Sequence, residues 1–147
     1  MNEEMNEKAD FVQRLIAYLI DGVLLGIVLT IVAIIVSIII GIVVFALKSE
    51  VFAIIGIFVL YAVMFAIPVG YFTYFYGTSG QTIGKKMMKI KVVSVDGTPL
   101  TYTKGFVRVI GYVIASIPLY IGLIWMLFDE NKQNWEDKIA NTYVVKV

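Results

Sequence analysis

The chain has 147 residues and carries 12 Lys and Arg against 11 Asp and Glu, with 60% of its residues apolar and 16% charged. Soluble domains hold about 45–50% apolar and about 25% charged residues, so the composition points to an integral membrane protein of one domain, and a net charge of +1 gives no electrostatic reason to bind nucleic acid. With no Cys and no His, disulfides, thiol nucleophiles, the commonest zinc ligand and the usual general base are absent, which argues against an enzyme and calls for no cofactor or metal.

The leader up to Asp10 is acidic, with Glu3, Glu4, Glu7 and Asp10 against Lys8. The apolar run behind it is far longer than the h-region of a signal peptide, so it is expected to stay in the mature protein. Asp10 is a natural N-cap before Phe11-Val12-Gln13-Arg14, and a first helix is predicted over residues 11–47. From Leu15 to Leu47 its single charge is Asp21. A span needs roughly 20 apolar residues, and counting that many back from Leu47 puts the membrane boundary near Val28 and Asp21 at interfacial depth. Arg14 lies two helical turns before Asp21 on the same face, about 10 Å away along the axis. Asp21 reads either as a proton or cation site, since carboxylates at membrane depth are costly, or as an interfacial charge neutralised by Arg14, Lys85 or Lys86. Gly22 and Gly26 form a GxxxG pattern, which predicts a close helix contact.

Only Lys48-Ser49-Glu50 separates this run from the next, so a tight antiparallel hairpin and a second helix over residues 51–76 are expected. That helix ends in an aromatic belt, Tyr71, Phe72, Tyr74, Phe75 and Tyr76. Residues 77–104 form a polar loop. Its glycines precede Lys85 without completing a phosphate loop, because Ser79 and Lys86 stand where Gly and Ser or Thr are required. Lys85, Lys86, Lys89 and Lys91 make this side cytoplasmic by the positive-inside rule and are candidates for contact with lipid headgroups. Alternating Ile90 to Val95, then Asp96-Gly97, then Thr98 to Thr103 predict a β-hairpin, with Pro99 restricting the second arm to an edge.

The third hydrophobic segment, residues 105–128, has Pro118 at its middle and either spans or re-enters. If it spans, Lys132, Lys138 and Lys146 join Lys48 outside; if it turns back, Lys48 alone of the 12 basic residues is external. The second arrangement obeys the charge rule better and makes both termini cytoplasmic. It also brings the strand-like Thr142 to Val147 of the tail, residues 129–147, beside Lys91 to Val95 for pairing. Trp125 and Trp135 read as interfacial anchors, and Asp129, Glu130, Glu136 and Asp137 as a solvated acidic stretch.

Three stretches resemble the RDD family of small multi-pass membrane proteins. They are Phe11-Val12-Gln13-Arg14 through Asp21; Gly80-Gln81-Thr82-Ile83-Gly84-Lys85 followed by Lys91-Val92-Val93 and Asp96-Gly97; and Trp135-Glu136-Asp137 through Val145. The resemblance implies that Arg14, Asp21 and Asp137 are the arginine and two aspartates that name the family. Many members have His at the place of Glu136 and Gly at the place of Asn141. It also implies possible transport, with sodium/proton exchange attributed to some members. The expected protein is therefore all-α, with two long membrane helices, a third segment and a small cytoplasmic β element, in the cell membrane. Two functions are carried forward. One is a transporter component for a proton or monovalent cation, needing a homo-oligomer or partner protein, in which two acids around Arg14 leave a net negative site. The other is a non-transporting scaffold or assembly subunit with the same three residues as a structural lock.

Overall fold

A computed structural model of the chain describes residues 7–118 and 121–147; Glu3 and Glu4 of the leader lie outside the described residues. The fold is 71% helical and divides into two units. One comprises the residues up to Asp21 together with Tyr71–Val147, and the other is Gly22–Gly70.

Helix α1 (Phe11–Leu47) starts where the sequence predicts. The backbone N–H of Asp10 donates to the Gln13 side chain at 3.1 Å, so a glutamine three residues into the helix closes one half of a capping box. Helix α2 (Glu50–Thr78) runs through Pro68 without a break. Both helices are long and apolar enough to cross a bilayer. Within Gly22–Gly70 they are joined by a turn with Lys48 in the left-handed region at φ 46°, and a Cβ added to Gly56 would lie 2.6 Å from Ile40 Cγ2. That is the close approach in this unit. Gly22 and Gly26 have no neighbour within 4 Å of such an added atom, so the predicted close contact at the GxxxG pattern is absent among the described residues. The buried face of α1 runs through Arg14, Ala17, Asp21 and Leu25, and the two glycines fall beside that face, not on it.

The other unit holds α3 (Ile83–Met87), β1 (Ile90–Ser94), α4 (Tyr102–Ser116), α5 (Ile121–Ile124) continuing into a 3-10 turn at Trp125–Leu127, α6 (Trp135–Ile139) and β2 (Thr142–Lys146). The predicted hairpin across Asp96-Gly97 does not form. Instead β1 pairs antiparallel with β2, from Ile90 opposite Lys146 to Ser94 opposite Thr142. The arm after Asp96-Gly97 is lost to two stronger local devices. Asp96 accepts the backbone N–H and hydroxyl of Thr98 and the Lys104 ammonium, and the Thr101 hydroxyl accepts from the backbone of Lys104 to cap α4. The leader adds to the far side of β2 through Ala9 N–H to the Val144 carbonyl at 2.9 Å and Lys146 N–H to the Glu7 carbonyl at 2.8 Å. Both ends of the chain thus meet in one unit. Ala9, Ala17, Tyr76, Ile90, Val92 and Val144 make its apolar core.

The third hydrophobic segment is a bent pair. Helix α4 and the α5 turn meet at 111°, with residues 119 and 120 outside the described residues. Gly122 sits against Ala115 and Gly111 against Glu136, where added Cβ atoms would come within 2.6 Å and 2.8 Å of their neighbours. These two glycines let the chain fold back and lay α6 along α4.

Candidate functional site

Two buried polar clusters sit side by side in the unit that contains both chain ends. The first is an ion network. Helix α1 supplies Arg14, α4 supplies Arg108, and the first turn of α6 supplies Glu136 and Asp137, all with side chains no more than 2% exposed. Arg14 donates one nitrogen to Asp137 and another to the Lys132 carbonyl at 2.9 Å. Arg108 donates to the other oxygen of Asp137 at 2.6 Å, to Glu136 at 3.1 Å and to the Thr142 hydroxyl. The Tyr18 hydroxyl also donates to Glu136, and the Asn134 N–H closes the set on Asp137 at 3.1 Å. Asp137 is thus clamped between two guanidiniums. Burial alone would raise its carboxyl, but Arg108 and Arg14 outweigh burial and hold it below the usual carboxylate range.

The second cluster is centred on Asp21, which forms no hydrogen bond or ion pair with Arg14. Its carboxylate accepts the Tyr71 hydroxyl at 2.8 Å, the Thr82 hydroxyl at 2.5 Å and the Gly84 N–H at 2.8 Å. Asp21 thereby fastens α3 to α1. Gly84 is required there because a Cβ would collide with the Ala17 carbonyl. Lys85 follows, fully buried, with its ammonium 3.2 Å from the Tyr76 hydroxyl and 4.2 Å from the centre of the Tyr18 ring. Burial pushes its pKa down to about 8.

Several expectations change here. Lys85 is unavailable to lipid headgroups, while Lys86 and Lys89 are exposed and Lys91 is half-buried. Glu136 and Asp137 are buried ion-pair members and Asp129 is a mostly buried partner of Lys138, so of the four acids that the sequence groups together Glu130 alone is exposed. Tyr71, Phe72 and Tyr76 are not a belt facing lipid; Tyr71 serves Asp21, and Phe72 and Tyr76 pack in the core. Arg108 has no place in the sequence-based network, yet it removes the net negative charge expected around Arg14. Arg14, Arg108 and Lys85 balance Asp21, Glu136 and Asp137. Its signal was a lone arginine on the small-residue face of an apolar helix, three residues from both Gly105 and Gly111.

The RDD family profile matches residues 8–141, nearly the whole chain. The chain belongs to the RDD family. It is 36% identical over 72 residues to a proline-rich antigen homolog of Mycobacterium tuberculosis, covering 48% of this chain and 30% of that protein. It is 32% identical over 72 residues to the proline-rich antigen of Mycobacterium leprae, covering 48% and 29%. It is also 38% identical over 64 residues to the uncharacterized protein YxaI of Bacillus subtilis, covering 44% and 42%. The matched regions therefore span less than half of these relatives. No solved structure matches the chain. In RDD terms, the arginine and the second aspartate are bonded to each other, and the first aspartate anchors a neighbouring helix. Asn141 has φ 52°, a left-handed conformation that asparagine tolerates better than most residues.

Proposed function

We propose that this RDD protein is a non-transporting membrane scaffold or assembly subunit, whose buried charges lock the start of its first helix to its tail. The charge balance of the site supports this reading most directly. Three side chains of cationic type and three of anionic type are buried together, so their formal charges balance and no surplus invites a cation. The span region argues the same way. Between Gly22 and Gly70 the polar side chains are Thr30, Ser37, Tyr61 and the turn residues Lys48, Ser49 and Glu50, and the Thr30 hydroxyl donates to the Gly26 carbonyl on its own helix. The unit that holds Tyr71–Val147 and the start of α1 carries every basic residue but Lys48, which supports a cytoplasmic location for it by the positive-inside rule. In the longer relatives the matched region is joined to further sequence, as suits an anchoring module.

A second reading, a proton or cation transporter component built as a homo-oligomer or with a partner, draws on one observation. Among the described residues, Asp21 and Lys85 are buried charges outside the ion pairs. Purified protein in sealed vesicles separates the two. Proton movement driven by a sodium or potassium gradient should not exceed that of protein-free vesicles, and Asp21→Asn should lower thermal stability. Flux that disappears in a fully stable Asp21→Asn protein would establish transport instead.

A further inference from the structure

The basic side chains of the unit that holds Tyr71–Val147 and the start of α1 divide into two sets. Arg14 and Arg108 bind the buried acids, and Lys104, Lys132, Lys138 and Lys146 each bind a carboxylate. Lys8 bonds Asn131 at 3.1 Å, and Lys85 is buried. Lys86, Lys89 and Lys91, at the end of α3 and the start of β1, make no ion pair and no side-chain hydrogen bond among the described residues. Lys86 and Lys89 are exposed, as are Ile83 and Met87 on α3, by 41% and 64%. Ile83, Lys86 and Met87 stand at i, i+3 and i+4 and so share one face of α3. The depth of that face follows from two anchors. The Ile83 N–H donates to the Tyr71 hydroxyl at 3.2 Å, and the Gly84 N–H donates to the Asp21 carboxylate at 2.8 Å. Roughly 20 residues cross the hydrocarbon core, and counted from Val51 they end at Gly70, next to Tyr71. Asp21 lies about 10 Å beyond the boundary near Val28 along α1. Both anchors stand outside the core and within reach of the headgroup layer for a long lysine side chain.

We propose that the face of α3 formed by Ile83, Lys86 and Met87, together with Lys89, docks on anionic phospholipid headgroups such as phosphatidylglycerol. The two ammoniums meet the lipid phosphates, and Ile83 and Met87 enter between the headgroups. Lys91, half-buried beside Thr78 and Ser79, adds to the positive field. The distribution of charge singles out this partner. All four lysines from Lys104 to Lys146 are neutralised by acids of the chain, whereas the stretch from Lys86 to Lys91 contains no acid and receives none. The surplus is therefore confined to one face, and an anionic surface is its complement. The buried Asp21 and Tyr71 contacts present this face by fixing the opposite side of α3 to the two long helices. The inference rests on the membrane location and is independent of whether the protein transports ions.

The test is native mass spectrometry of the full chain, released from detergent containing equal amounts of phosphatidylglycerol and phosphatidylcholine. The protein should retain phosphatidylglycerol at least about fivefold over phosphatidylcholine. Lys86→Gln combined with Lys89→Gln, both at exposed positions, should bring the ratio close to equality. Lys132→Gln combined with Lys138→Gln removes as much charge from lysines already paired with acids, and should keep the preference. Circular dichroism confirms that both double variants are folded. Equal retention of the two lipids by the parent protein, or a preference that survives loss of Lys86 and Lys89, would overturn the proposal. So would an equal loss in both folded variants, which would leave only a general attraction between net charge and anionic lipid.

Discussion

Arg14 and Arg108 approach opposite oxygens of Asp137 from different helices, and of the two only Arg108 also reaches Glu136. Lys85 is the contrasting case, a buried ammonium met by a hydroxyl and aromatic faces. Its folded pKa of about 8 lies below the ordinary 10.5, so between those values the unfolded chain holds a proton that the folded chain has released. Stability should therefore rise with pH across that window. Lys85→Met keeps the volume and removes the burdened charge. Compared with the parent protein in thermal unfolding between pH 7 and pH 10.5, it should be at least as stable at pH 7 and should lack this component of the rise. Identical pH profiles for the two proteins would show that Lys85 does not titrate as argued. At this scale the sequence revealed the partnership of Arg14 with Asp137 through the family pattern. It concealed Asp21's real partners, because Tyr71, Thr82 and a backbone N–H carry no charge to mark them.

Helix α3 has five residues and would not persist alone; it is held by the Thr82 cap and by the Asp21 carboxylate reaching Gly84. A methyl group at Gly84 meets the Ala17 backbone, which cannot yield as a flexible side chain would. Gly84→Ala should thus cost about 1–3 kcal/mol, measured as a lowered unfolding midpoint in detergent, with Lys85 becoming reactive to amine reagents as the helix lifts. An unchanged midpoint would mean that α3 docks differently. The long helices were legible because hydropathy alone sets them: 11–47 was predicted and formed, and 51–76 differs from Glu50–Thr78 by a residue or two at each end. The sheet was half legible. Both strands stood out by their alternation, but the Asp-Gly turn suggested a local partner for β1, and only the competing Thr101 cap and the pairing with β2 exclude it. The long-range partner was legible by another route, since the charge rule put the tail on the side of Lys91 to Val95, and Val92 pairs with Val144 there.

For the whole molecule, the hydrogen bonds of Glu7 and Ala9 to β2 predict that residues 7–10 and the tail share one side of the membrane. The chain lacks cysteine, so single introduced thiols give an unambiguous readout of sidedness. Lys8→Cys and Val147→Cys should share one accessibility in right-side-out cells, protected from impermeant maleimide, while Ser49→Cys in the α1–α2 turn should react. A labelled Val147→Cys with a protected Lys8→Cys would separate the termini and break the site. On the proposed reading the fold depends on the lock between the first helix and the tail, and charge reversal is a poor probe of it, since Asp137→Arg would face Arg108. A double-mutant cycle is the most direct measurement. In reversible unfolding of the detergent-solubilised chain, Arg14→Ala and Asp137→Ala should each cost about 3–5 kcal/mol by leaving charge buried and unpaired. The double variant should be more stable than the sum of the two losses allows, by more than about 1 kcal/mol of coupling. Strictly additive losses would contradict the lock.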